Sequence, residues 1–283
     1  MEKPTGMVKV EGVSGGFLAT VQGQDNSLAS LQAHVIVPRL KIIQQMTAKD
    51  LKDKVGGDGT VCIRPGDEVV AALEEPFLFT PRFFYSEYNK WADRKDTESN
   101  RILARSFDPA SDIAKRAADT NRRKEVYPDQ EKKPEDKKLY YTYVHHFCWF
   151  GVIYGEHELS GNEVVLSMER GEYGNGRQFI TAISGRKFIP DGADKKIPVP
   201  LWGQVWELNS KIRPPKNGNQ WYGFEFRAPK DRPAIIKDDE AEHAQAEYLR
   251  LSQLHEERRL QVDHAEGDET PEDAAAAGGQ KFG

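Results

Sequence analysis

The chain lacks any apolar run approaching the ~18–20 residues that a bilayer-crossing helix requires. Its first residues, Met1-Glu2-Lys3-Pro4-Thr5-Gly6, lack the basic-then-apolar plan of a secretory leader. These absences predict a protein kept in the cytoplasm, with no membrane partner. Cysteine is scarce: Cys62 and Cys148 form neither a disulfide framework nor the paired spacing of a zinc site. Catalytic signatures are missing as well. There is no G-x-S-x-G, H-E-x-x-H or G-x-x-x-x-G-K-[ST], and the acidic residues are too scattered to mark a carboxylate pair. The sequence therefore gives no support for an enzyme, and no metal or nucleotide cofactor is expected. No internal repeat at a fixed period is present.

What is present is an uneven charge. The net charge of -5 over 283 residues hides thirteen acidic and four basic residues in Asp238 to Gly283, against 32 acidic and 36 basic in Met1 to Lys237. A mildly basic body thus carries an acidic end. The aromatics divide the same way: of 28, only Tyr248 and Phe282 lie in the last segment. The overall charge consequently says little about what the body binds.

Segments rich in β-branched and aromatic residues predict strands over 34–44, 59–64, 68–73, 77–85, 139–154, 163–168, 201–212 and 220–228. Pro65-Gly66-Asp67 reads as a turn, and Pro214-Pro215-Lys216-Asn217-Gly218 joins the last two strands as a hairpin. In that hairpin Trp202, Gln204, Trp206 and Leu208 alternate onto one face, while Tyr222, Phe224 and Phe226 oppose Trp221, Gly223, Glu225 and Arg227. Residues 93–138 hold 24 charges and few large apolar groups, with a helix expected over 102–118 and an exposed loop over 121–138. Ala241, Ala244, Tyr248, Leu251 and Leu254 predict a helix within 238–262, packed on the body or paired with another copy. The expected fold is mainly β: a barrel with a charged insertion, a flexible arm over 1–34, and a C-terminal helix and disordered acidic tail over 238–283.

Among possible sites, His145-His146-Phe147-Cys148 suggests a metal, but His145 and Cys148 would point to opposite faces of a strand, so a structural role is favoured. The run Gly171-Glu172-Tyr173-Gly174-Asn175-Gly176-Arg177 lacks the context of a phosphate loop and reads as a flexible turn. Basic residues interleaved with aromatics occur twice, over 82–95 and over 170–227, the latter with ten basic and five acidic residues. Unpaired bases stack on flat rings, and cations follow the phosphates, so this pattern suits single-stranded nucleic acid. Ordinary β-sheet cores and solvated rims produce a similar composition.

Pro38-Arg39-Leu40-Lys41-Ile42-Ile43-Gln44, Val164-Val165-Leu166-Ser167-Met168, Leu201-Trp202-Gly203-Gln204-Val205-Trp206-Glu207-Leu208 and Asn219-Gln220-Trp221-Tyr222-Gly223-Phe224 resemble a group of bacteriophage proteins associated with replication and recombination. The broader plan is similar to phage single-stranded DNA-binding proteins, with an OB-like barrel, a basic aromatic groove and an acidic tail ending in an aromatic. Phe282 stands at that place and would recruit replication or recombination proteins, although Ala274 to Gln280 separates it from the acidic run.

The resemblance implies a non-catalytic single-stranded DNA-binding protein of the host-cell cytoplasm, with homo-oligomerisation as an open expectation. Tyr85, Tyr88, Trp91, Trp221 and Tyr222 would stack on bases, and Arg82, Lys90, Arg94, Arg177, Arg186, Lys187, Arg213 and Arg227 would contact phosphates. The competing expectation is a phage structural or assembly protein whose aromatic surface makes lattice contacts.

Overall fold

Two strands of fifteen residues, β4 (Phe77–Trp91) and β7 (Tyr140–Tyr154), form the spine of the protein in a computed structural model. They pair antiparallel from Leu78 opposite Tyr154 to Trp91 opposite Thr142. Both are dominated by aromatic and β-branched side chains, which fit a pleated surface covered on both faces. The structure describes residues 37–260 except 46, 48, 65–70, 94, 97–101, 120–122, 156–158, 191, 193, 217–218 and 233. The arm over 1–34, the turn at 65–67 and the acidic tail therefore lie outside the described residues.

Around the spine run β1 (Arg39–Ile42), β2 (Val61–Arg64), β3 (Ala71–Ala72), β8 (Glu163–Glu169), β11 (Trp206–Lys216) and β12 (Asn219–Arg227). With β5 (Ile102–Ser106) on β4 and β6 (Lys124–Val126) on β7 they make a ten-stranded sheet ordered β12-β11-β4-β7-β8-β1-β2-β3. The β1–β8 pair is parallel, so the sheet is mixed. A separate ribbon pairs β9 (Lys187–Phe188) with β10 (Ile197–Pro198). The fold is mainly β, as expected, but the sheet is not closed into a barrel: among the described residues β12 and β3 end its path with no ladder between them.

Side chains take the place of a ladder along the outer edge of β12. Gln44 engages the backbone of Tyr222, and Glu172 and Asn175 engage that of Phe224. An edge satisfied in this way is also protected from pairing with another chain.

Four helices lie among the described residues: α1 (Lys49–Val55), α2 (Asp112–Ala118), α3 (Tyr173–Gly185) and α4 (Ala241–Glu256). On the concave side of the sheet, Phe79, Trp149, Ile153, Leu166, Met168, Leu208 and Phe224 pack with Phe179 of α3 into the main core. On the convex side, Leu251 of α4 packs with Phe83, Tyr85, Cys148, Phe150 and Val165. Burying a leucine in this way contributes about 1.5–3 kcal/mol. The stripe expected on α4 thus meets the body of its own chain. No helix among the described residues is long and apolar enough to cross a membrane.

Three local expectations change. The helix expected over 102–118 is strand β5 followed by α2, which Ser111 caps through its side chain. The loop expected over 121–138 contains β6 and two 3-10 turns. Both corrections have one cause: β4 and β7 extend beyond the curled sheet and present free edges, which β5 takes at Tyr88–Trp91 and β6 at Tyr140–Thr142. The Gly171–Arg177 run is not a flexible turn but a 3-10 turn leading into α3. Gly176 belongs in that helix because a Cβ there would stand 2.5 Å from the Phe147 ring.

Candidate nucleic-acid interface

Pro81 decides how the first basic-aromatic segment is displayed. It has no N–H to give to a ladder, and the β4–β7 register shifts here: Pro81 opposes Gly151 and Phe83 opposes Phe150, which leaves Arg82 as the extra residue of a bulge. Before the bulge, Phe77 and Phe79 face the main core. After it the phase reverses, so Phe84 faces that core while Phe83 and Tyr85 face the opposite side. The basic-aromatic segment is therefore split between two faces.

Arg82 and Tyr85 lie on the convex face beneath α4, both buried. Arg82 Nε donates to Glu247 Oε2 at 2.9 Å, and its Nη1 donates to the Trp202 carbonyl at 2.6 Å. Burial lowers the Arg82 pKa, and the neighbouring Glu247 opposes that shift. Tyr85 donates its hydroxyl to Glu87 at 3.3 Å and stacks on Phe150 at 5.8 Å between centroids. Burial, with the neighbouring Glu87 carboxylate, raises its pKa.

Tyr88 and Lys90 lie on the other face. Tyr88 is buried 4.3 Å from the His145 ring, which in turn meets Phe147 at 4.4 Å and Tyr173 at 5.3 Å. This ring strip runs from the extended end of the spine to the start of α3. Burial holds the His145 pKa down to about 4, with His146 and Arg123 adding to the effect. Lys90 Nζ sits 3.7 Å from the Tyr141 ring centroid, and Ala114 and Ala117 of α2 pack on Tyr88 and Tyr143. Trp91 is half-buried at the end of β4. His146 and Cys148 occupy the opposite face from His145, and no group of three His, Cys, Asp or Glu among the described residues is arranged to hold a metal ion.

The second segment spreads across the hairpin and α3. β11 and β12 pair as expected, with Arg213 opposite Trp221 and Ile212 opposite Tyr222. Trp221 covers Gly171, whose hypothetical Cβ would lie 3.5 Å from the indole. Tyr222 rests on Gly59 of the loop before β2. Arg213 Nη2 donates to the Phe224 carbonyl at 2.5 Å, close to Glu172. The half-buried Glu172 accepts from Asn175 at 2.9 Å, and desolvation of its carboxyl raises its pKa against the pull of Asn175 and Arg213.

Arg186 is a structural clamp: it donates to the Val205 and Ala234 carbonyls at 2.7 and 2.9 Å and lies 3.6 Å from the Trp206 ring centroid. Burial lowers its pKa to about 10. Arg227 is exposed and ion-paired with Glu207. Arg177 on α3 and Lys187 on β9 are exposed. Arg94 and Phe282 lie outside the described residues.

The structure therefore brings Arg82 and Tyr85 together under α4, Tyr88 and Lys90 together on the spine, and Arg213 and Trp221 together on the hairpin. It does not gather all the residues expected to stack on bases or contact phosphates into one groove. His145 and Tyr173 join the ring strip, although the sequence pattern does not mark them as base-stacking residues. Their signal was present, since His145 sits two residues before a core Phe on a period-two strand, but the glycines around Tyr173 concealed the helix that places its ring.

The family model of Pam3 phage gp34-like proteins matches residues 19–253 of this chain. No curated protein and no solved structure matches it.

Proposed function

The chain belongs to the Pam3 phage gp34-like family, and from that premise we propose that this phage protein is a non-catalytic single-stranded DNA-binding protein of OB type, acting in phage DNA replication or recombination. One observation carries the reading: the path of the chain. Strands β4, β7 and β8 form an antiparallel meander, α3 follows the third strand, and the β11–β12 hairpin returns its first strand to β4. An OB-fold follows this route, as a partly open five-stranded Greek key. The added β1 lies parallel to β8, where the fifth OB strand would close the barrel.

In OB-folds, oligonucleotides lie over the second and third strands, between the loop joining the first two strands and the loop joining the last two. Here the first loop is the charged insertion with β5, α2 and β6, and the second is the tip between β11 and β12. Between these elements lie the Tyr88–His145–Tyr173 strip and Trp221, with Lys90 and Arg213 beside them. Exposed Arg177 and Lys187 extend the positive surface. The residues of 1–237 carry an excess of four positive charges, which suits a phosphate backbone.

Anisotropy of labelled oligo-dT tests the reading. Binding at low salt, tighter than to a duplex of equal length and weakening log-linearly with salt, is the expected result. Lys90→Ala, Arg177→Ala and Lys187→Ala should each reduce the salt slope by about 0.7. No binding at low salt would overturn the reading. A structural role is favoured by a different observation, the exposure of Ile189 and Ile197 at the β9–β10 ribbon. Sedimentation showing a large assembly without DNA would support that alternative.

A further inference from the structure

The ring strip continues past Tyr88 along the extended end of the spine, and there it is covered. Tyr88 stands opposite His145, and on the same face, two residues further, Lys90 stands opposite Tyr143. Lys90 Nζ lies 3.7 Å from the Tyr141 ring centroid and 6.0 Å from that of Tyr143. Tyr141 in turn stacks on Tyr127, just after β6, at 4.1 Å between centroids. Flat rings with a cation among them suit unpaired bases and their phosphates. Yet Tyr88 is only 7% exposed and Tyr143 only 4%, so no base reaches either ring in this arrangement.

The cover is α2. The cluster that buries the two rings consists of Tyr88, Tyr141 and Tyr143 from the spine and Ile113, Ala114 and Ala117 from α2. Two alanines and one half-buried isoleucine make a thin contact, and a helix of seven residues keeps its shape only while it is packed and capped. The helix is also held by the partly exposed Arg116–Glu125 ion pair and by Arg123 Nε, which donates to the Ala117 carbonyl at 3.3 Å. Ion pairs open to solvent hold weakly. On either side of α2 the chain is fixed independently. Phe107 meets the Tyr85 and His255 rings on the opposite face of the sheet, and the Arg123 carbonyl accepts from the Tyr143 N–H at 2.9 Å.

We propose that α2 is a lid over a base-binding subsite formed by Tyr88, Tyr143 and Lys90, closed in the free protein and displaced by single-stranded DNA. The inference rests on the single-stranded DNA-binding reading and lies on the face to which that reading assigns the strand. It adds Tyr143 to the base-stacking residues, and it makes the charged insertion the gate of the path as well as its wall. Every contact that closes the subsite is made by α2, so all of them break when this one helix leaves, while β5 and β6 stay paired to the spine.

Ser111 gives a test that spares the rings: it caps α2 by accepting from the Ala114 N–H at 3.2 Å and is no member of the ring cluster. A closed lid reduces apparent affinity by the fraction of molecules that are open, so Ser111→Ala, which loses the cap, should bind labelled oligo-dT about fivefold tighter. Ser111→Asp keeps a cap and should bind like the unaltered chain. Ser111→Ala combined with Tyr143→Leu should lose the gain, because the ring that the lid uncovers is gone. Hydrogen exchange on the unaltered chain is the second measurement: amides of residues 115–118 should exchange faster when oligo-dT is bound. If the unaltered chain binds oligo-dT while Ser111→Ala binds no tighter, if Tyr143→Leu leaves the gain intact, or if exchange in α2 stays the same or slows, the lid is refuted and the DNA-binding reading survives. If the unaltered chain and every variant fail to bind, both fall.

Discussion

The Gln44 side chain pairs with the backbone of Tyr222 as a neighbouring strand would. Its Nε2 donates to the Tyr222 carbonyl at 2.7 Å, and the Tyr222 N–H donates to its Oε1 at 2.9 Å. A primary amide carries the same donor and acceptor as a peptide group, so this side chain supplies one rung of ladder where the sheet fails to close. Gln44→Ala leaves both backbone groups without that partner and should lower stability by about 1–3 kcal/mol. Gln44→Glu keeps the acceptor and loses the donor. Urea unfolding measures both, and an unchanged midpoint in Gln44→Ala would contradict the rung.

Glycines let the same seam close. Gly59 has φ +86°, and a Cβ there would lie 2.7 Å from the Tyr222 ring. A Cβ at Gly223 would lie 2.0 Å from Glu172 Oε1 and 2.9 Å from Arg213 Nε. Alanine at either position should destabilise the fold by more than about 1 kcal/mol, through strain at the first and displacement of a buried carboxylate at the second. The thermal midpoint is the readout. Gly174→Ala, where a Cβ would meet nothing within 4 Å, should be neutral or stabilising.

The Arg82–Glu247 pair fastens α4 to the sheet, with both side chains largely buried. Removing one partner leaves a charge without its counter-ion, so Arg82→Met or Glu247→Leu alone should cost about 3–5 kcal/mol. The double substitution should recover most of that loss. A double-mutant cycle by urea unfolding checks the pair, and additive losses would contradict it.

Acid should weaken the fold through His145. Burial holds its pKa to about 4 in the folded protein, whereas an unfolded histidine titrates near 6.5. Below about pH 6.5 the unfolded chain takes the proton first, so this contribution to stability is lost as pH falls through the window from 6.5 to 4. Above that window it has no slope. His255, also lowered by burial, acts in the same direction. His145→Phe should flatten the decline of unfolding free energy across the window, and an unaltered slope would remove His145 as its cause.

Much of the sheet was legible, because strands covered on both faces advertise themselves through dense aromatic and β-branched runs. The β11–β12 hairpin shows this best: its pairing was readable, although the choice of Phe224 and Phe226 as the row packed in or on the main core was not. The site was harder to read. Composition groups Arg82, Tyr85, Tyr88 and Lys90 in one basic-aromatic segment, but the bulge at Pro81, the strand alternation and the two covering helices separate them in ways that depend on partners far along the chain. The α3 helix was hidden for the same kind of reason: Gly176 lowers helix propensity locally yet admits the Phe147 ring from a distant strand. The rung formed by Gln44 has no local signature, since it spans 178 residues.

Tryptophan fluorescence of the full-length chain, titrated with oligo-dT at low and high salt and against a duplex of equal length, tests the central claim most directly. Trp91 and Trp221 are half-buried beside the proposed path of the strand, whereas Trp149 is sealed in the core. Single-stranded DNA-binding predicts strong quenching by oligo-dT at low salt, weakened at high salt and much smaller for the duplex. No response to oligo-dT at low salt would contradict it.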